Sequence, residues 1–209
     1  MLTPIDTILF PDECCLIEID DKLIFPIFKN ASSSLISACR AQHGREFRGT
    51  EITNITDNIT VFIREPTERF SSGIKTVVYN LKKTNPELDI GTIKFLMQKY
   101  LFLDIHFLPQ FHWLLNLSRF TGPDVKLKFR PIADVRQFTE FTTIPDKISD
   151  IHIDPVLFND LYLQLDTIIF NQIGNDLTFR ELLQKIKNDD SAKFHELTEL
   201  PFMLIELLL

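Results

Sequence analysis

The stretch Lys29-Asn30-Ala31-Ser32-Ser33-Ser34 sets a full positive charge ahead of small side chains and hydroxyls. That combination suits an anion. Lys29 supplies charge, Ser32, Ser33 and Ser34 supply O–H donors, and the small side chains let a ligand approach the backbone. If the stretch opens a helix, its first amides have no intrahelical partner and carry the positive end of the helix dipole. Phosphate, or a group built like it, is the anion such a mouth holds best. A second cation, Arg64, brings a planar fork of donors matched to phosphate oxygens, and Ser72 follows it by eight residues. His106 has an unperturbed pKa near neutrality and suits proton transfer.

Those side chains have to be positioned by regular elements, and the pattern around them supplies candidates. Leu16–Ile19 and Lys22–Phe25 read as strands about a turn at Asp20-Asp21. Leu35, Ile36, Ala38 and Cys39 recur at helical spacing, so a helix is expected from Ser32 to His43. Gly44 to Asn58 is polar and reads as irregular, whereas Ile59-Thr60-Val61-Phe62-Ile63 is a β-branched apolar strand. Pro66 ends that run and opens a helix over Thr67 to Leu81, with a break at Asn85-Pro86. Further along, a helix is expected at Ile90–Phe102, a loop at Asp104–Gln110, a short buried strand at Trp113–Leu117 and a half-exposed strand at Val125–Phe129. Helices are expected again from Pro155 to Phe170, from Phe179 to Lys187 behind the capping box Thr178-Phe179-Arg180-Glu181, and over the apolar tail from Phe194.

Strands alternating with helices, without an internal repeat or linker, argue for one three-layer α/β domain over residues 1–209 with a mainly parallel sheet flanked by helices. In such folds ligands sit at the carboxyl ends of strands, where both Lys29 and Arg64 fall. A chain of 209 residues is long enough for one sizeable core. Phe, at 19 residues against 3 Tyr and 1 Trp, reads as core material and not as a base-stacking platform. A net charge of −7 disfavours non-specific nucleic-acid binding. There is no apolar run long enough to span a membrane, and no signal-peptide pattern at the start. Cys14, Cys15 and Cys39 form neither a disulfide framework nor a zinc spacing. A reducing cytoplasm is the simplest expectation, which makes the glycosylation patterns at Asn54 and Asn58 chance matches.

The loop is not of the usual NTPase type, in which Lys follows the glycines and precedes the metal-binding hydroxyl. With Lys29 in front and a hydroxyl run behind, it resembles the 5′-phosphosulfate loop of sulfotransferases. Val61 to Ile74 resembles the 3′-phosphate motif of the same family: a strand ending in Arg64, then Glu65, Pro66, a second arginine at Arg69, an aromatic at Phe70, and Ser72. Asp104-Ile105-His106-Phe107-Leu108-Pro109-Gln110 is similar to a segment of the membrane-type carbohydrate sulfotransferases. The resemblance covers about residues 20 to 115 and implies a P-loop-like fold. It also implies transfer of a sulfuryl group from 3′-phosphoadenosine 5′-phosphosulfate (PAPS) to an acceptor hydroxyl, with a carbohydrate as the suggested acceptor, without a metal. Lys29 to Ser34 would hold the 5′-phosphosulfate and Lys29 would neutralise the leaving oxygen. Arg64 and Ser72 would hold the 3′-phosphate, and His106 would be the general base. The sequence departs from the family at Phe28, which separates Lys29 from Pro26, and at Ala31-Ser32-Ser33, where Gly or Thr is usual.

Each feature also has a plainer reading. Ser32 fits a structural helix cap, Arg64 a strand-end salt bridge, and His106 a loop pin. A small-molecule kinase or a nucleotide-binding module without activity would share the same anion site.

Overall fold

A computed structural model describes residues 15–27, 29–56, 58–89, 91–92, 109–139 and 160–189. Strand β1 (Cys15–Ile19) turns back at Asp20-Asp21 into β2 (Lys22–Phe25), pairing Ile19 with Lys22 and Ile17 with Ile24. Both turn residues have positive φ, 49° and 58°. This is the conformation a two-residue hairpin needs to match strand twist, and Asp tolerates it better than most residues. Helix α1 (Ser32–Ala41) follows β2, and β3 (Arg45–Arg48) then pairs antiparallel with the outer side of β1. After a 3-10 turn (Gly49–Asn54), β4 (Ile59–Ile63) pairs parallel with β2. Helices α2 (Pro66–Thr84) and α3 (Gln110–Thr121) precede β5 (Lys126–Pro131), which is parallel to β4. A second 3-10 turn (Ile132–Gln137), α4 (Asp160–Phe170), β6 (Asp176–Thr178) and α5 (Phe179–Asp189) complete the described chain.

The six-stranded sheet has the order β3-β1-β2-β4-β5-β6. It is mixed, which corrects the expectation of a mainly parallel sheet. Only β2, β4 and β5 form a contiguous parallel set, while β1 and β6 run against their neighbours. For β1 the reason is connection length: a two-residue hairpin joins only antiparallel strands, and parallel neighbours need a long crossover. Gly44–Asn58, expected to be irregular, contains β3 and a 3-10 turn. Phe47 of β3 packs against the core beside Leu16, while the exposed Arg45 and Arg48 keep the edge charged. Trp113–Leu117, expected as a strand, lies inside α3. A five-residue apolar run does not distinguish the two states. Here Phe111, Leu114, Leu115 and Leu117 bury one long helix in the core.

Other expectations hold. Pro66 opens α2, with Glu65 accepting the Glu68 N–H at 2.7 Å, and the helix stops before Asn85. Thr178 and Glu181 exchange their capping-box hydrogen bonds at 2.8 and 3.1 Å. Most of the expected helix at 90–102, most of the 104–110 loop, the start of the 155–170 helix and the tail from 194 lie outside the described residues. Among the described residues, no helix is long and apolar enough to cross a membrane.

Alternation along the strands covers both faces of the sheet. Val61 and Ile63 join Leu127, Phe129 and the apolar sides of α3, α4 and α5. Phe62, Ile17, Ile19 and Ile24 join Leu35, Ala38 and Cys39 of α1 together with Val135 and Phe138. The chain therefore leaves β2 for one face, and leaves β4 for α2, which packs on α4 of the other face. Parallel neighbours whose crossovers diverge in this way leave room for a ligand at their carboxyl ends.

Candidate anion-binding site

Beyond Phe25 the chain turns sharply. The Asn30 N–H donates to Ile27 O at 2.9 Å, and the flanking Lys29 and Ala31 adopt left-handed φ of 68° and 60°. Neither is glycine, so each position is strained by about 1–2 kcal/mol. The strain is held by Asn30, which is fully buried and whose Nδ2 donates to Phe62 O at 2.8 Å and Gln110 Oε1 at 2.5 Å. Asn30 is thus a strut of the loop. Its Oδ1 has no hydrogen-bond partner among the described residues. Ala31 is the N-cap of α1 and has no side-chain acceptor to offer, and no acid stands in the first turn. The mouth of α1 keeps its positive character. Of the three hydroxyl residues, Ser32 and Ser34 are buried and Ser33 is exposed.

The two cations come together. Arg64 follows the last residue of β4, and its Nη1 lies 3.4 Å from Lys29 O, while its Nε is 3.7 Å from Glu68 Oε2. Lys29 Nζ crosses to α2 and donates to Thr76 Oγ1 at 2.5 Å; Thr76 Oγ1 in turn donates to Ser72 O at 3.0 Å. The Lys29 loop, the Arg64 strand end and the Ser72 turn of α2 therefore form one cluster. Thr76 also belongs to it, one helical turn beyond Ser72, a place in the sequence that is the signal for it. His106 lies outside the described residues.

A buried polar network stands behind this cluster. Gln110 is fully buried; its Oε1 accepts the Arg64 N–H at 3.1 Å and its Nε2 donates to Arg64 O at 3.2 Å. Its own N–H donates to Asp166 Oδ1 at 2.5 Å, so a carboxylate from α4 caps α3. Asp166 Oδ2 also meets Arg69 Nη1 at 3.3 Å, with the two side chains only 6% and 3% exposed. Burial pushes the Asp166 carboxyl up and the Arg69 guanidinium down, against their mutual attraction. His112 is pushed down to about 4 by burial and by the charge of Arg69, so it is neutral at physiological pH. Arg69, the second arginine of the motif, meets Asp166 in the core. Glu65, the acid of the motif, caps α2. The sequence signal for this network was Asp166 itself, an acid set between Leu165 and the apolar pair Ile168-Ile169, since a buried acid requires a partner.

A groove of about 330 Å³ lies at the opposite edge of the sheet, where β2 and β4 begin. Glu18, Lys22, Arg45 and Lys128 line it, with Leu23 and Phe47 as apolar wall. It shares no residue with the cluster.

The cluster offers two cations, a helix mouth and hydroxyls on two separate helices, a set suited to an anion with more than one charged group. No family model, no curated protein and no solved structure matches the chain.

Proposed function

We propose that this protein is a PAPS-dependent sulfotransferase that transfers a sulfuryl group to an acceptor hydroxyl, with a carbohydrate as the acceptor class. One observation carries the reading: Arg64 lies against the Lys29 loop while Lys29 reaches the Ser72–Thr76 turn. The two stretches that resemble the family's nucleotide motifs, the Lys29 loop and Val61 to Ile74, are thereby neighbours in space. In this reading the Ser32 to Ser34 end of α1 holds the 5′-phosphosulfate, and Arg64 with Ser72 holds the 3′-phosphate. Lys29 exchanges Thr76 for the bridging oxygen and neutralises the charge that develops as the S–O bond to the nucleotide breaks. His106 takes the acceptor's proton. Catalysis is then positioning plus electrostatic stabilisation.

Titration calorimetry with adenosine 3′,5′-bisphosphate and with ATP tests the proposal. The bisphosphate is expected to bind in preference to ATP, and Arg64→Ala to weaken it about tenfold or more, the scale of a lost charge-assisted pair. Equal affinity for ATP with a magnesium requirement would turn the reading to a kinase. Bisphosphate binding without sulfate transfer from PAPS to any of a broad panel of sugars would reduce the protein to a nucleotide-binding module.

A further inference from the structure

The proposed site depends on where Arg64 is held, and the sheet does not hold it. Pairing of β2 with β4 ends at Phe25 and Val61, and pairing of β4 with β5 ends at Ile63 and Pro131. Pro131 has no N–H with which to extend the ladder. The N–H and C=O of residue 64 therefore stand one step past the last strand partner, and both need one. Gln110 provides it. One carboxamide accepts from Arg64 N–H and donates to Arg64 O, at 3.1 and 3.2 Å. This is the two-way exchange of a strand neighbour made by a single side chain. The same Oε1 accepts Asn30 Nδ2, the strut of the Lys29 loop. Gln110 is itself fixed, because it is fully buried and its main-chain N–H is held by Asp166.

We infer that Gln110 is the positioning residue of the site: its carboxamide locks the Arg64 backbone and the Lys29 loop to one another, and so sets the spacing between the two cationic pockets for a doubly phosphorylated nucleotide. The inference rests on the proposed function for its ligand, but the locking itself is a property of the protein alone. It acts on geometry, since Gln110 adds no charge.

Two measurements separate this role from simple support of the core. The first is amide hydrogen exchange on the full chain. In Gln110→Met, which is close in volume but neither accepts nor donates at these positions, protection of the Arg64 amide is expected to fall about tenfold or more while Val61 and Phe62 keep theirs. The second is bisphosphate affinity in a double-mutant cycle. Gln110→Met is expected to weaken binding about tenfold in the native background and less than about twofold when Arg64→Ala is already present. If Gln110→Met does not fold, Gln110→Glu replaces it. When protonated, that carboxyl keeps one donor and one acceptor; its affinity relative to the native protein at the same pH is expected to recover as pH falls. Unchanged Arg64 protection, or equal losses in the two backgrounds, overturns the inference. If the native chain binds no bisphosphate, the proposed function is what has failed, and exchange at Arg64 decides the lock by itself.

Discussion

The two edges of the sheet use the same backbone conformation for different ends. At the amino edge of β2, Asp20 and Asp21 take left-handed φ, and at its carboxyl edge Lys29 and Ala31 do the same. The first pair is exposed and makes a tight hairpin. Charges around it meet in water, as Arg45 and Glu18 do at 3.7 Å with Arg45 72% exposed. The second pair flanks the fully buried Asn30, and behind it lie Gln110, Asp166 and Arg69, all within the protein. Positive φ alone therefore does not mark a site. What sets the carboxyl edge apart is a set of buried polar groups that over-determine a strained loop, an arrangement that burial makes costly unless every partner is in place.

Breaking the buried network is the strongest test of that contrast. Asp166→Ala removes the carboxylate that meets the buried Arg69 and uncaps α3, and is expected to cost about 3–5 kcal/mol in urea unfolding. The double change Arg69→Met with Asp166→Leu should recover much of the loss, because it removes both charges. If Asp166→Ala cost no more than an ordinary surface change, the contrast between the edges would be lost.

Acid provides the next largest effect. Folded His112 accepts its proton only at about pH 4, whereas an unfolded histidine does so near 6.5. Between those values the unfolded chain binds more protons, so stability falls as pH falls through the window. The contribution is on the order of 3 kcal/mol, and His112→Phe should flatten the difference in unfolding midpoint between pH 7 and 4. Equal slopes for the two proteins would mean that His112 is not the buried neutral group described.

Arg64→Ala sharpens the comparison from the other direction. Its side chain is partly exposed and its ion pair with Glu68 is long, so the unfolding midpoint should barely move while bisphosphate binding drops. A large loss of stability would place Arg64 with the struts instead of the ligand groups. The smallest effect belongs to the amino edge: Arg45→Ala should give no resolvable change in midpoint or in bisphosphate binding, because exposed pairs of this kind contribute little.

Local chemistry in the chain was enough to place β1, β2, β4 and β5, the start of α2 at Pro66, the capping box of α5, and the Lys29 loop at a strand-to-helix junction. Hydrophobic alternation, proline geometry and reciprocal caps act over a few residues, and such signals survive in one dimension. The residues that bind the loop to its surroundings were less legible. Asn30 and Gln110 are 80 residues apart and Arg69 and Asp166 are 97 apart, and no local pattern joins them. The same holds for the mixed direction of the sheet, the helical state of Trp113–Leu117 and the reach of Lys29 to Thr76. Each depends on which distant segment supplies the partner for a buried backbone or polar group, and only the packed chain decides that.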